Sequence, residues 1–405
     1  MAAPKIRDVA GICVLAYLLL TSYEISRASS ESLFLEVYGK EALPWAWFAV
    51  MVAALLAVTV YNHFVRRVRL VPLFAASCVA SAVLLVVIIA LRDAGMKHAT
   101  FALYVWKDVH VVVLLETVWT FANVVFKLRT ARWVYGVFLV CGSAGGITGG
   151  LLVGELARRW GTNVTASVPV LLLLVLAAAA LGLSRVMSVA APARSERPAL
   201  GEALRTLRKS TYLPWLLALI MVVQLVITLV DYHYMGVVQE SFGDTNQRTR
   251  VMGLVNSSTN LAALALQALS GPTLRLAGIP LTLVLIPSVL GAALGGFLVV
   301  PRFTVMAVTK VASKAFDYSL FRAAKEMLYI PLSWAEKTHG KAMIDMLGYR
   351  VAKGGASVAI LALAALEAGQ LTLLLTLGLV VLWLLITVRV VRRFRRLVSR
   401  EEEMS

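Results

Sequence analysis

About twelve apolar runs divide this chain, each long enough to cross roughly 30 Å of hydrocarbon as a helix. They lie near residues 9–34, 44–64, 70–91, 101–126, 133–155, 164–187, 212–238, 251–276, 279–300, 303–332, 343–366 and 370–391. In lipid every backbone donor and acceptor must find a partner inside its own segment or a closed barrel, and runs of this length satisfy that only as helices. Hydrophobic residues make up 60% of the 405 and charged residues only 15%, which excludes an ordinary globular domain. The expected fold class is an all-α polytopic membrane protein with about twelve transmembrane helices.

The formal net charge of +17 raises the question of nucleic acid, and its placement answers it. With the N-terminus inside, the expected cytosolic segments hold Lys5, Arg7, Arg66, Arg67, Arg69, Lys127, Arg129, Arg132, Arg194, Arg197, Arg205, Arg208, Lys209 and Arg275. The tail adds Arg389, Arg392, Arg393, Arg395, Arg396 and Arg400. Expected outer loops are sparser, with Lys40, Arg92, Lys97, Arg158, Arg159, Arg248, Arg250 and Arg302. This is the positive-inside asymmetry; it puts both termini in the cytosol and leaves no basic surface to assign to nucleic acid. The first apolar run continues into Glu24, Arg27 and Glu31 without a small-residue cleavage site, so it is expected to stay as a helix. A bacterial cytoplasmic membrane is the expected address, a monomer the expected state, and the lipid bilayer the expected surroundings.

Six spans precede the longest polar stretch, residues 188–210, and six follow it. The expected organisation is an N-terminal six-helix half (1–187), a cytosolic linker (188–210), a C-terminal six-helix half (211–395) and a tail (396–405). A 6+6 layout of this kind is the plan of major-facilitator carriers, whose halves rock about a central site. The run Gly142-Ser-Ala-Gly-Gly-Ile-Thr-Gly-Gly150 lacks the Gly-Lys-Ser/Thr ending of a phosphate-binding loop, which disfavours an ATP-hydrolysing pump. Its small residues suit close helix packing. Cys13, Cys78 and Cys141 stand at no metal-ligand spacing and read as packing residues.

Charges inside a span are costly and mark watery paths or ligand sites. In the tenth span Lys310, Lys314, Asp317, Phe321 and Lys325 fall within roughly 80° of arc on an ideal helix, over about 22 Å of its axis. Three lysines against one aspartate leave positive charge suited to an anionic ligand. The same spacing also fits Lys310 and Lys325 reaching opposite interfaces while Lys314 pairs with Asp317. Glu326 is placed to pair with Arg322 one turn back. In the first span Glu24, Arg27 and Glu31 share a face, either as part of the path or as a self-satisfied ion cluster. The fourth offers Asp108, Glu116, Trp119 and Asn123 in one arc, with Lys107 to the side; the seventh aligns Gln224, Thr228 and Asp231; the eleventh has Asp345, Arg350 and Lys353. No nucleophile with its base and no metal-ligand cluster is legible, so neither an enzyme nor a cofactor is expected.

Several of these strings resemble one family. Tyr318-Ser-Leu-Phe321, then Lys325-Glu-Met-Leu-Tyr-Ile-Pro-Leu332, Gly340-Lys-Ala342, Ile344-Asp345 and Lys353-Gly-Gly355 are similar to the hallmark of the plastid and intracellular-bacterial ATP/ADP translocases, a major-facilitator-like nucleotide transporter family. Tyr104-Val105 with Asp108, Trp119, Phe121-Ala-Asn123, Ala131-Arg132 and Tyr135 follow its fourth-helix run. Lys209-Ser210, Tyr212-Leu213, Leu229-Val230-Asp231 and Met252-Gly253 continue the match, as do Tyr23, Ile25, Arg27, Glu31 and Leu33 in the first helix.

The resemblance implies a carrier that exchanges nucleotides without hydrolysing them. It places Asp108 and Asp231 where the family has functional glutamates, and Lys325 where it has a lysine. Ser30 stands at the family's first-helix lysine, Met235 at another lysine, and Arg322 at the aspartate after Ser-Leu-Phe. The expected function is a secondary transporter for nucleotides or a related phosphorylated anion, working by alternating access. Its expected substrate-binding residues are Arg27, Asp108, Trp119, Asn123, Asp231, Lys310, Lys314 and Lys325. A carrier of a different, non-nucleotide anion and a transport-inactive structural or sensory relative remain the alternatives.

Overall fold

The computed structural model of the chain describes residues 6–65, 67–125, 128–184, 200–333 and 336–404. Regular structure among them is helical, and each expected span is helical through most of its described length. The chain forms two compact units: Met1–Ala42, Ala49–Ser195 and Phe242–Leu261 in the first, and Leu43–Phe48, Glu196–Ser241 and Ala262–Ser405 in the second.

The first unit contains α1 (Ile6–Tyr38), most of α2 (Leu43–Val65), α3 (Leu70–Asp93), α4 (Lys97–Val125), α5 (Leu128–Thr165) and α6 (Val168–Ser184). Its apolar core is built from Leu15 and Leu19 of α1, Phe74 and Leu85 of α3, Phe121 of α4 and Leu173 of α6. The glycine-rich run of α5 brings backbones together on two sides. A Cβ on Gly149 would come within 2.6 Å of the Thr21 carbonyl oxygen in α1, and one on Gly150 equally close to the carbonyl of Gly253. Any side chain at these positions would have to push a neighbouring backbone aside, so the run works as a packing surface. Buried Thr21, Ser29 and Ser32 donate their hydroxyls to carbonyls four residues back, and Thr21 also reaches the Gly145 carbonyl of α5.

The second unit contains α7 (Leu200–Lys209), α8 (Leu213–Ser241), most of α9 (Thr245–Val299), α10 (Phe303–Phe316), α11 (Arg322–Leu328), α12 (Lys341–Ala365) and α13 (Thr372–Met404). Its core gathers Leu216, Ile220, Val223 and Ile227 of α8 with Leu290 of α9, Leu328 of α11 and Trp383 of α13. Two expected spans, 251–276 and 279–300, are joined in α9, and the boundary between them is a bend at Gly278. Its φ of 71° is open to glycine at little cost, and Pro280 follows.

Seven stretches among the described residues are long and apolar enough to cross a bilayer. The other expected spans fall outside that set for visible reasons. α4 carries Lys97, Lys107, Asp108 and Glu116; α6 and the apolar part of α12 are shorter; and the tenth span is divided. Its two pieces, α10 and α11, are joined by a π-helical turn at Asp317–Phe321.

Candidate functional site

Each unit holds one cluster of intramembrane charge. In the first, Arg27 of α1 lies between two carboxylates of its own helix, 3.8 Å from Glu24 and 3.3 Å from Glu31. Lys107 of α4, only 2% exposed, reaches Glu31 at 3.5 Å and donates to Asp108 at 3.0 Å. Its ammonium lies 4.1 Å from the centre of the Tyr104 ring, a cation–π contact that adds to its stabilisation. Asn260 donates to Glu24 at 3.1 Å. Two cations thus answer three carboxylates, and α1 is tied to α4 through Glu31. Burial is tolerable here because each charge has close partners of opposite sign.

The second cluster is centred on an aspartate. Asp231 of α8 pairs with both Lys310 and Lys314 of α10, the latter at 3.1 Å. Gln224, two turns before Asp231, donates to Asp317 at 3.1 Å, and Thr228 between them donates to the Gln224 carbonyl. Lys310 also lies 5.6 Å from the Tyr234 ring centre. Lys310 is 1% exposed and Lys325 6%, so both lie inside the unit instead of reaching for the interfaces. Lys314 goes to Asp231, while Asp317 takes Gln224. Among the described residues this region gathers Lys310, Lys314 and Lys325 with Asp231 and Asp317.

Other expected residues fall elsewhere. Phe321, on the lysine face of an ideal helix, is buried in the apolar core with its ring 6.2 Å from that of Trp383. Glu326 pairs with Lys341 at 2.5 Å and not with Arg322. Trp119 packs edge-on against Tyr135 at 5.5 Å, and the eleven residues separating it from Asp108 put it about 16 Å further along α4. The side chains of Asn123, Asp345 and Arg350 lie outside the described residues. Ser30 is buried, its hydroxyl donated to the Ser26 carbonyl at 2.5 Å. Lys107, off the α4 arc by periodicity, is the centre of the first cluster; its partner Glu31 sits on another helix, and no spacing within α4 signals it.

The family model for the TLC ATP/ADP transporter matches residues 95–306 and 297–394. The chain belongs to this family. Among relatives, it is similar to ADP,ATP carrier protein 1 of Chlamydia muridarum (strain MoPn / Nigg), 26% identical over 310 residues, covering 65% of this chain and 59% of that protein. It is also similar to ADP,ATP carrier protein 3 of Rickettsia prowazekii (strain Madrid E), 24% identical over 309 residues, covering 64% and 62%. The chain thus spans about three fifths of the length of these carriers. Its fold resembles the solved nucleoside transporter NupG with a TM-score of 0.71 at 11% identity, over 95% of this chain and 98% of that one. At that identity the likeness speaks to architecture alone, and the architecture is that of a major-facilitator-type, multi-pass membrane protein.

Proposed function

We propose that this TLC-family chain is a secondary carrier of nucleotides such as ATP and ADP, moving them by alternating access without hydrolysing them. The observation that carries this reading is the pairing of Asp231 with two lysines of one helix face, in a member of an ATP/ADP transporter family. Two ammonium groups gathered on one aspartate form a site where a phosphate that displaces Asp231 would meet both cations at once. Lys310, Lys314 and Lys325 would hold phosphate oxygens, with Asp231 as the counter-ion of the empty site. Arg27, beside Glu31, and Asp108, beside Lys107, would act by steadying the Lys107–Glu31 pair that ties α1 to α4.

The finer expectations belong to the same proposal: a bacterial inner membrane, both termini cytosolic, halves at 1–187 and 211–395 joined by a 188–210 linker, and a monomer. The test is uptake of labelled ATP into proteoliposomes loaded with ADP. Uptake that requires internal nucleotide and is lost in Lys310→Ala or Lys314→Ala is the expected result. Absence of nucleotide uptake by well-folded protein, with exchange of another phosphorylated anion, would replace nucleotides as the substrate.

A further inference from the structure

The π-turn at Asp317–Phe321 changes which side chains share the lysine face. In an unbroken α-helix at about 100° per residue, Arg322 would lie about 120° from Lys310 and only about 40° from Val308. Val308 is 65% exposed and marks the outer, apolar side of α10. A π-turn holds one extra residue, which rotates everything after it back by about 100°. Arg322 then comes within about 20° of Lys310 and about 140° from Val308. Phe321 is rotated off the lysine direction by the same step, in keeping with its burial against Trp383.

Arg322 is exposed although it lies inside the tenth span. A guanidinium facing hydrocarbon there would cost at least a few kcal/mol, so its exposure is to a watery space. Neither nearby carboxylate makes a salt bridge to it, although Asp317 lies close enough for a Coulomb attraction. Glu326, one turn on, is taken by Lys341, and Asp317 accepts from Gln224. Among the described residues Arg322 makes no salt bridge.

We infer that Arg322 is a phosphate-binding residue, carried onto the lysine face by the π-turn. Its planar fork takes two oxygens of one phosphate, and Lys325, three residues on and about 4.5 Å along the axis, meets the same group or its neighbour. With Arg322 the face gathers four cations, which suits a polyanionic ligand of the pyrophosphate type. The inference deepens the nucleotide-carrier reading and rests on it for the identity of the ligand.

The test uses the full chain in membranes and inorganic pyrophosphate as probe. Arg322→Cys should react with a charged, membrane-impermeant thiol reagent faster than the parent chain with its own three cysteines, and pyrophosphate should slow that reaction. In purified protein, Arg322→Gln should weaken pyrophosphate and ADP binding about ten- to a hundredfold, and Arg322→Lys should recover only part of the loss because the fork is gone. An unreactive thiol in the Arg322→Cys variant would mean that the position faces lipid and would overturn the inference. So would a reactive thiol that pyrophosphate does not protect, or unchanged pyrophosphate affinity in Arg322→Gln. Protection by pyrophosphate in a protein that takes up no nucleotide would sink the nucleotide reading and leave Arg322 as an anion site.

Discussion

Replacing Asp231 by Asn separates two roles that a carboxylate in an anion site can have. If Asp231 is the counter-ion of the empty site, an arriving phosphate must displace it from Lys314, Lys310 or both. At 3.1 Å and an effective dielectric constant of about 20, one such pair represents roughly 5 kcal/mol of Coulomb attraction before solvation is counted. Most of this is offset by the water the charges lose, and a charge-assisted hydrogen bond nets about 1.5–3 kcal/mol. Asp231 is 20% exposed and Lys314 16%, so screening reduces but does not remove the term. Asparagine keeps the shape and one acceptor while giving up the charge. Asp231→Asn should therefore bind ADP or pyrophosphate about ten- to a hundredfold more tightly, measured by titration calorimetry in detergent. Turnover in proteoliposomes should fall, because the empty carrier must then return with two buried ammonium groups lacking their counter-ion. Affinity that drops, as in Lys314→Ala, would refute the argument and make Asp231 a direct ligand of the substrate.

Further consequences are open to simpler measurements. Lys107→Met removes the cation that Glu31 and Asp108 share, while Arg27 stays beside Glu31, and should cost about 1.5–3 kcal/mol of stability, seen as a lower thermal midpoint in detergent; adding Asp108→Asn should recover part of it, and an unchanged midpoint in the single variant would deny the pairing. Gly253→Ala sets a methyl against the Gly150 carbonyl and should lower the midpoint through forced separation of α5 and α9, whereas a parental midpoint would show that this approach is loose. Ser30→Lys inserts a long cation at a buried serine beside Glu31, which already holds Arg27 and Lys107; reduced folded yield is expected, and a well-folded variant with tighter ADP binding would reveal open space at position 30.

How far the sequence reaches is best seen in the tenth span. Run length depends on single residues and their order, so the spans were legible without contacts. The lysine face was legible too, because Lys310, Lys314 and Asp231 sit on unbroken α-helix where a 3.6-residue period holds. Past Asp317 the period fails. Nothing in Asp317-Tyr-Ser-Leu-Phe321 requires an i to i+5 turn, and one extra residue there exchanges Phe321 for Arg322 on that face. Pairing between helices was the other hidden quantity: i+4 logic gave Glu326 to Arg322, while Lys341, fifteen residues away, takes it. Gln224 and Lys107 found their partners in the same way, across helices and beyond any local pattern.

These pairings bear on which buried cations can serve a ligand. A buried ammonium must be answered by charge, and how fully it is answered decides what else it can hold. Lys107 has two carboxylates within 3.5 Å and an aromatic face beneath it; any anion it received would first have to break contacts that also join α1 to α4. Arg27 likewise has two carboxylates beside it, Glu24 and Glu31, both on its own helix. Lys310 and Lys314 share Asp231, so an anion that displaces this one carboxylate gains attraction from both. The energetic advantage therefore falls to the α10–α11 face, and phosphate selectivity should follow substitutions on that face more closely than substitutions in the first cluster, whose loss should register chiefly as lost stability.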